Sequence, residues 1–224
     1  ERGGWERHET ALFRAHLASG CRVVDLGANV GWFAVHAILA GAEVTAFEPV
    51  PEIAEVCERN MVRAAARGPG RGVLHRLAAG AARGRSRIAL ARANRGDNRV
   101  LDERAARPAD MGPGDELAIE VAPVDEFVRG PVRVLKIDTQ GSEWLALQGA
   151  RELLRASPAL ALLIEFWPYA LRGARPEELL LLLAREGFTL GKATAAPYPM
   201  APERILAQAR TSDPVKGGFD LYGV

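Results

Sequence analysis

Residues 23–34 read VVDLGANVGWFA: an apolar segment ends in an acid, two glycines bracket an asparagine, and a second apolar segment begins. The first segment has the length of a buried strand, and the glycines permit a tight turn with close approach of the backbone. The stretch therefore predicts a strand at 22–26, a turn, and a helix at 31–40. Turns of this kind at the carboxyl end of a strand can bind nucleotides.

The alternation of strand and helix continues through most of the chain. Further strands are predicted at 43–47, 73–77, 132–137 and 160–165, with short strands at 188–190, 205–207 and 219–222. Further helices are predicted at 5–17, 51–66, 142–156 and 175–185. Alternation at this spacing indicates right-handed βαβ units. We predict an α/β fold with a mostly parallel sheet and helices on both faces.

Residues 78–122 depart from this alternation. They are rich in glycine, arginine and alanine, with strands indicated at 87–90 and 116–121. We interpret them as a hairpin and loop insertion. Within the insertion, residues 92–104 form either a solvated surface loop or a lid that touches the substrate.

Composition and charge limit the organisation, the partners and the location of the protein. The formal net charge is +1 and 48% of the residues are hydrophobic, which favours a sizeable core and argues against nucleic acid or a membrane as partner. No signal peptide and no apolar run of transmembrane length is visible, so a soluble, cytoplasmic protein is expected. Because no repeat or long linker divides the chain, residues 1–224 are expected to form a single domain, in which a helix within 1–20 covers the ligand site.

Acidic residues follow several of the predicted strands. Asp25 precedes the glycine turn, Glu48 closes the second strand, and Asp138 and Glu165 end two later strands. Ligands of open α/β sheets bind at this edge. Because desolvating an unpaired carboxylate is costly, such a collection of acids indicates a functional site.

The spacing of the first turn discriminates between classes of nucleotide. It is G-x-N-x-G rather than the G-x-G-x-x-G that seats a pyrophosphate, and Trp32 and Phe33 follow where a pyrophosphate would need small residues. Asp25 suits a cationic group such as an amino-acid ammonium, and Glu48 suits the two hydroxyls of a ribose. Together these features indicate S-adenosylmethionine as cofactor, with S-adenosylhomocysteine as the product.

Three segments resemble the FkbM-type family of S-adenosylmethionine-dependent methyltransferases: VVDLGANVGWFA at 23–34, AFEPVPE at 46–52 and VLKIDTQGSEWLALQGA at 134–150. The pairing of D-x-G-A-N-x-G with K-I-D-x-x-G-x-E is the most specific part of the resemblance, and PVDEF at 123–127 matches a further family position. The resemblance implies a Rossmann-like class I methyltransferase fold. In that fold a seven-stranded sheet ends in an antiparallel C-terminal strand, for which 219–224 is suitable.

The resemblance also implies cofactor roles at the matching positions. The methionine part would lie beside Asp138 and against the turn, at Asp25, Gly27, Ala28, Asn29 and Gly31. Glu48 would take the ribose, with Pro49 and Val50 beside the adenine. The segment after the third strand, which includes Ala78, lacks the acid or amide that often holds the adenine amino group, so that contact is left to the backbone or stays open.

Four residues are candidates for catalysis: Lys136, Asp138, Glu143 and Glu165. Lys136 and Asp138 lie on the same face of one strand, so Asp138 is a general base or substrate anchor, or the two form a buried ion pair that stiffens the site. Glu143 takes part in the reaction or complements the dipole of the helix that it begins. Glu165 closes the next strand, where it could anchor the substrate or act as base.

A magnesium ion is not favoured. Asp138 and Glu165 stand where some small-molecule O-methyltransferases of this fold bind magnesium, but no third ligand is near unless Asp97 or Asn98 reaches in from the loop. The aromatic residues in 166–169 either line a substrate pocket or form a packed corner. None of the four histidines has the setting of a catalytic base.

We predict methylation of an oxygen on a small-molecule substrate such as a sugar, a polyketide or another specialised metabolite. The preference for oxygen comes from the resemblance. Three alternatives stay open: a small-molecule N-methyltransferase, an NAD-dependent oxidoreductase, and a non-catalytic nucleoside-binding module. Leucines at 179–183 exceed what one buried helix face needs, which fits either a homodimer contact or a helix buried on two sides.

Overall fold

The computed structural model describes residues 6–92, 96, 98–101, 114–211 and 218–224. Its strands are β1 Arg22–Leu26, β2 Glu43–Phe47, β3 Arg71–His75, β4 Ala78–Ala79, β5 Gly84–Ala89, β6 Arg99–Leu101, β7 Glu116–Ala122, β8 Val134–Ile137, β9 Ala161–Phe166, β10 Leu190–Lys192 and β11 Phe219–Gly223. Its helices are α1 Arg7–Ala15, α2 Trp32–Leu39, α3 Pro51–Ala65, α4 Glu143–Gln148, α5 Arg151–Ala156, α6 Pro176–Arg185 and α7 Pro202–Arg210.

The main sheet of the described residues has seven strands in the order β10-β11-β9-β8-β1-β2-β3. The strands β3, β2, β1, β8 and β9 run parallel, while β11 lies antiparallel between β9 and β10. The chain moves outward from β1 to β3 and then returns to β8 on the other side of β1. The crevice at such a reversal is where open α/β sheets bind ligands. The predicted α/β class, parallel sheet and antiparallel C-terminal strand are confirmed.

Helices cover both faces of this sheet, and each face has its own core. On one face, apolar side chains such as Leu26 and Ile137 pack against α4, α5, α6 and α7. On the other face, Val23 packs against α1 and α2, where the rings of Phe13 and Phe33 meet edge to face with centroids 5.0 Å apart. The central strands β1 and β8 are buried on both sides, which explains why they are continuous apolar runs in the sequence.

The residues of the predicted insertion form a second sheet in the order β4-β7-β5-β6. The strands predicted at 87–90 and 116–121 correspond to β5 and β7, which pair antiparallel, and β6 was not predicted. Ile88 of β5 and Ile119 of β7 pack against Ile53 of α3, which holds the second sheet beside the carboxyl ends of β1 and β2. Much of the predicted loop 92–104, including Asp97, lies outside the described residues.

Four predictions of secondary structure were wrong, one of which is the strand predicted at 188–190, found at Leu190–Lys192 as β10. Residues 205–207 belong to α7, because Pro202 begins a helix whose Ile205 and Ala209 share one buried face. The helix predicted at 142–156 is two helices, and at their junction the backbone lies so close to the second sheet that a Cβ on Gly149 would be 2.0 Å from the carbonyl oxygen of Gly80. The third strand starts two residues earlier than predicted, since β3 pairs in register with the whole of β2.

Two further predictions concern the helices α1 and α6. The helix predicted at 5–17 begins at Arg7, and Trp5 lies outside the described residues. In α6, four of the five leucines are buried within the chain and Leu181 is 48% exposed, so burial on two sides accounts for the leucine pattern and the homodimer stays a prediction. None of the helices in the described residues is both long and apolar enough to cross a lipid bilayer.

Candidate functional site

Gly27 brings the ends of β1 and β8 into contact. Its φ is +78°, and a Cβ at this position would lie 1.8 Å from the carbonyl oxygen of Asp138. The amides of Gly27 and Ala28 both donate to the carbonyl of Phe47, at 3.0 and 2.9 Å. The turn is therefore tied to the strands on both sides of β1, and only glycine fits at its first position.

Asn29 and Gly31 complete the turn, with φ values of 50° and 85°. Asn29 lines the cleft at the edge of the sheet. Gly31 instead faces α3, where a Cβ would lie 3.0 Å from the sulfur of Cys57, and Ala28 is buried below the turn. Two of the residues predicted to contact the methionine part thus serve the packing of the turn.

Glu48 is held by two backbone amides. Its Oε2 accepts a hydrogen bond from the amide of Asn29 at 3.0 Å, and its Oε1 accepts one from the amide of Val50 at 2.9 Å. The side chain is 6% exposed. Burial raises the pKa of Glu48 to about 7, against the lowering effect of these two bonds. Because a carboxylate has about four lone-pair sites, about two are left for a ligand.

A cleft lies beyond the carboxyl ends of β1, β2 and β8, and it encloses about 570 Å³ of space, part of which is continuous with solvent. The predicted site residues that line it are Gly27, Asn29, Glu48, Pro49, Ala78 and Asp138. The turn after β1 and the ends of β2 and β8 therefore meet in one concave site.

Part of the cleft lining is apolar. Ile53 of α3, Ala78 and Ala79 of β4, and Ile88 of β5 line it. Val50, which was predicted to lie beside an adenine, is instead 3% exposed and packs in the small core next to Ile53. The second sheet thus supplies one wall of the cleft, a contribution that the sequence did not indicate.

Asp25 lies beneath the turn. The residue is 0% exposed, and neither of its carboxylate oxygens has a hydrogen-bond partner in the described part of the chain. Its register partner in β8 is Lys136. Burial raises the pKa of Asp25 to about 6, and the charge of Lys136 opposes this shift. A buried carboxylate is costly, and the charged form of Asp25 is favoured chiefly by Lys136 and less by the backbone amide of Ala34.

Lys136 and Asp138 form a partly buried ion pair. The ammonium of Lys136 lies 3.1 Å from Oδ2 of Asp138 and 4.7 Å from the centre of the Phe33 ring, and Lys136 is 5% exposed. Burial alone would lower the pKa of Lys136, but the carboxylates of Asp138 and Asp25 raise it above its ordinary value. Lys136 is therefore a fixed cation, while Asp138 also lines the cleft.

Two residues that sequence reasoning missed extend this group. Gln140 has a left-handed backbone with φ 51°, and its Nε2 donates to Oδ1 of Asp138 at 2.7 Å and to Oε1 of Glu165 at 3.2 Å. Asp220 of β11 stands opposite Glu165 of β9. Gln140 follows Asp138 in the quoted motif and could have been found there, whereas Asp220 can be placed only by the register of β11.

Burial governs the charge of Glu165 and Asp220. It raises the pKa of Glu165 well above its ordinary value, and the carboxylate of Asp138 adds to that shift. The same two causes raise the pKa of Asp220 to about 7. Oε2 of Glu165 is buried without a hydrogen-bond partner among the described residues. At this edge the described residues therefore include more acidic side chains than cations.

Glu143 is the first residue of α4, and its side chain turns back to the loop that joins β8 to this helix. The residue is 0% exposed. Its Oε1 accepts hydrogen bonds from the amide and hydroxyl of Thr139, at 3.0 and 2.9 Å, and from the amide of Gly141 at 3.1 Å. Since it does not line the cleft, its geometry is that of a residue that holds the loop, and its predicted part in catalysis stays a prediction.

The remaining candidates divide between the cleft and the core. Asn98 lines the cleft, with its Oδ1 accepting from the amide of Ala91 at 2.9 Å. Phe166 and Trp167 are buried and do not line it, which matches a packed corner. Among the described residues no group of three or more His, Cys, Asp or Glu is arranged to hold a metal ion. Asp97, considered as a third ligand, lies outside them.

A family model described as the methyltransferase FkbM domain matches residues 25–190. The chain belongs to the FkbM methyltransferase family. The matched span begins at Asp25 and includes the turn, Glu48 and the segment from Lys136 to Glu143. The resemblance seen in three short motifs thus extends over most of the chain.

Solved structures show how widely the fold of this FkbM chain is shared. A methyltransferase FkbM from Methylobacillus flagellatus KT is 20% identical with a TM-score of 0.58, and the alignment covers 93% of this chain but only 44% of that one. Magnesium protoporphyrin IX methyltransferase from Synechocystis PCC 6803, solved with bound S-adenosylmethionine, is 12% identical with a TM-score of 0.51, covering 96% and 75%. No curated protein sequence matches the chain significantly.

A third structure is the TehB-like S-adenosylmethionine-dependent methyltransferase from Corynebacterium glutamicum. It is 13% identical with a TM-score of 0.50, and the alignment covers 98% of this chain and 89% of that one. At these identities the likeness shows the fold: the Rossmann-like class I methyltransferase arrangement. The FkbM chain therefore has the predicted fold, although it spans less than half of its FkbM relative of known structure.

Proposed function

We propose that the protein is an S-adenosylmethionine-dependent methyltransferase that methylates an oxygen of a small molecule. The observation that carries this proposal is Glu48: two backbone amides fix its carboxylate at the edge of the cleft, and its remaining lone pairs suit the two hydroxyls of a ribose. Family membership supports a methyltransferase. The S-adenosylmethionine named for two structures of this fold supports the choice of cofactor.

The residues that would hold the cofactor lie along the length of the cleft. Gly27 and Asn29 offer a close backbone to the methionine part, and Asp25 beneath them adds negative potential that favours its ammonium. Glu48 would bind the ribose. Ile53 and Ile88 would enclose the adenine between apolar side chains.

S-adenosylmethionine, when bound, supplies a methyl group on a positively charged sulfur that a nucleophilic oxygen can attack. Asp138 lines the same cleft, with Oδ2 held by Lys136 and Oδ1 held by Gln140. These contacts fix its carboxylate where it can orient an acceptor hydroxyl and take up its proton. Because the donor is already activated, alignment of the acceptor can supply much of the rate.

The net charge of the protein and its family favour a small hydroxylated molecule as acceptor. A net charge of +1 lacks the basic footprint of a nucleic-acid enzyme, which favours a small molecule. The carboxylate of Glu165 lies near that of Asp138, since the Gln140 amide donates to both, and carboxylates accept hydrogen bonds from hydroxyls. The choice of oxygen rests on this chemistry and on the resemblance to the FkbM family.

Binding of S-adenosylhomocysteine and NAD, measured by calorimetry, tests the cofactor. We expect S-adenosylhomocysteine to bind and NAD not to bind. Glu48→Gln should weaken S-adenosylhomocysteine by about tenfold or more, since hydrogen bonds to a charged group contribute about 1.5–3 kcal/mol. Glu55→Gln, an exposed glutamate on α3, is the control and should bind normally. Binding of NAD alone would overturn the proposal.

Turnover tests the reaction itself. Label from methyl-labelled cofactor should appear in a product when the protein is supplied with pooled small hydroxylated acceptors. Asp138→Asn should reduce the rate and leave the affinity for S-adenosylhomocysteine unchanged. An unchanged rate would show that Asp138 has no part in the reaction.

A further inference from the structure

The sheet edge formed by β8, β9 and β11 carries an excess of acids. Glu165 of β9 and Asp220 of β11 are direct register partners, and Asp138 lies at the end of β8 beside them. Lys136 is the cation that the described residues place next to these three carboxylates. Among the described residues, one cation therefore faces three acidic side chains at this edge.

Lys136 already interacts with Asp138, Phe33 and Asp25. Its ammonium lies 3.1 Å from Oδ2 of Asp138 and over the ring of Phe33. It also stands opposite Asp25, whose buried carboxylate has no hydrogen-bond partner in the described part of the chain. A single ammonium that serves Asp25 and Asp138 leaves Glu165 and Asp220 without a cation of their own among the described residues.

Hydrogen bonds from the described residues do not compensate for the desolvation of the Glu165 carboxylate. Its Oε1 receives one hydrogen from Gln140 at 3.2 Å, and the same amide gives a shorter bond to Asp138 at 2.7 Å. Its Oε2 is buried and receives none from the described residues. Glu6 and Glu9 of the N-terminal region add negative potential around Asp220. Partly buried carboxylates in this situation are stabilised by protonation or by a bound cation.

The position of these acids separates them from the cofactor turn. In the strand order β11-β9-β8-β1, Asp220 lies three strands away from the turn that follows β1. Neighbouring strands are about 4.8 Å apart, so this separation is about 14 Å. A ligand bound at the turn would end near Asp138. A cation between Glu165 and Asp220 would therefore belong to a second ligand, which binds on the far side of Asp138 from the turn. In a methyltransferase, that is the acceptor.

We propose that Glu165 and Asp220 form a subsite for a protonated amine of the acceptor, so that the substrates are hydroxylated amines such as amino sugars and amino alcohols. The inference rests on the proposed methyltransferase function and narrows its substrate class. A monovalent organic cation fits better than a metal ion, because the three carboxylates that the structure describes here are not arranged to hold a metal ion together. The amine would pair with two carboxylates while Asp138 faces the neighbouring hydroxyl.

Paired probes test the subsite in the S-adenosylhomocysteine complex. Calorimetry would compare glucosamine with N-acetylglucosamine, and 2-amino-1,3-propanediol with glycerol. We expect the amine of each pair to bind about tenfold more tightly or better than its neutral partner. Asp220→Asn and Glu165→Gln should each remove most of this preference without changing the affinity for S-adenosylhomocysteine. Glu43→Gln, at the opposite end of the main sheet, is the control and should keep the preference.

Several outcomes would overturn the inference. They are equal binding of amines and neutral partners, no binding of any probe, a preference that survives both substitutions, or magnesium binding that displaces the amines. The same titrations on the cofactor-free protein separate the two proposals. Amine preference without S-adenosylhomocysteine binding would overturn the proposed function alone, and S-adenosylhomocysteine binding without amine preference would overturn this inference alone.

Discussion

Gly27 is the residue whose side chain the fold can least accept. A Cβ there would lie 1.8 Å from a backbone oxygen at Asp138, and the φ of +78° disfavours other residues. We expect Gly27→Ala to lower the free energy of unfolding by about 3 kcal/mol or more, from overpacking added to left-handed strain. Urea denaturation followed by circular dichroism would measure this change.

Gly20 provides a matched control for that experiment. It has the same φ of +78°, but nothing lies within 4 Å of a Cβ built on it. Gly20→Ala should therefore show the backbone strain alone, about 1–2 kcal/mol. Equal losses in the two variants would show that the contact between β1 and β8 contributes nothing.

Asp220 makes stability depend on pH. Its pKa is raised from 3.8 to about 7, chiefly by burial. Between these values the folded state binds more protons than the unfolded state, so the free energy of unfolding falls as pH rises through this window. We expect the decline between about pH 4 and pH 7.5 to be smaller in Asp220→Asn by about 1 kcal/mol or more. Urea titrations at the two pH values measure it, and Glu55→Gln should behave as the wild type.

Local sequence predicted some of the site residues and missed others for a physical reason. Gly27 and Glu48 follow strands that lie next to each other in the chain, so their meeting at the sheet edge is foreseeable. Asp220 is far from Glu165 in sequence, and only the antiparallel register of β11 brings them together. The position of Gln140 beside Asp138 is visible in the motif, but the direction of its side-chain amide, which links Asp138 to Glu165, is not.

The loop between β8 and α4 is held by a single side chain. Oε1 of Glu143 receives three hydrogen bonds, from two groups of Thr139 and the amide of Gly141. We expect Glu143→Ala to lower the free energy of unfolding by about 3 kcal/mol, because it leaves these donors without partners. Glu143→Gln keeps the accepting oxygen and should recover most of the loss. Chemical denaturation distinguishes the two variants.

A role of Glu143 in the reaction makes a different prediction. If it acted on the substrate, Glu143→Gln would lose turnover while keeping stability. We expect instead that Glu143→Gln keeps both stability and turnover and that Glu143→Ala loses both, because turnover depends on the order of the loop. Parallel measurement of the rate and of the melting temperature in both variants decides between the two roles.

At the scale of elements, apolar periodicity predicted where strands and helices occur better than where they begin and end. β1 and β8 are buried on both faces, so their apolar runs mark them clearly. Residues 205–207 resemble a short strand, because three residues do not distinguish a period of 2 from one of 3.6. The break between α4 and α5 depends on contact with the second sheet at Gly149, which local sequence does not contain.

The stability of the whole molecule depends on α1, because this helix contributes to one of the hydrophobic cores. Phe13 is 0% exposed and packs edge to face on Phe33. Phe13→Ala should lower the free energy of unfolding by about 3–4 kcal/mol, since it opens a cavity in the core. Val62→Ala, at a residue that is 64% exposed, should change it by less than about 0.5 kcal/mol. A helix that merely covered the site would tolerate both substitutions in a denaturation experiment.

The place of β11 in the sheet has a consequence for how the protein is made. β11 lies between β9 and β10, although it follows both in the chain. Synthesis proceeds from the N-terminus, so β9 emerges from the ribosome while its neighbour on that side does not yet exist. Until residues 219–223 arrive, that edge of β9 is open to pairing with other chains. The arrival of β11 therefore both closes this edge and brings Asp220 to Glu165.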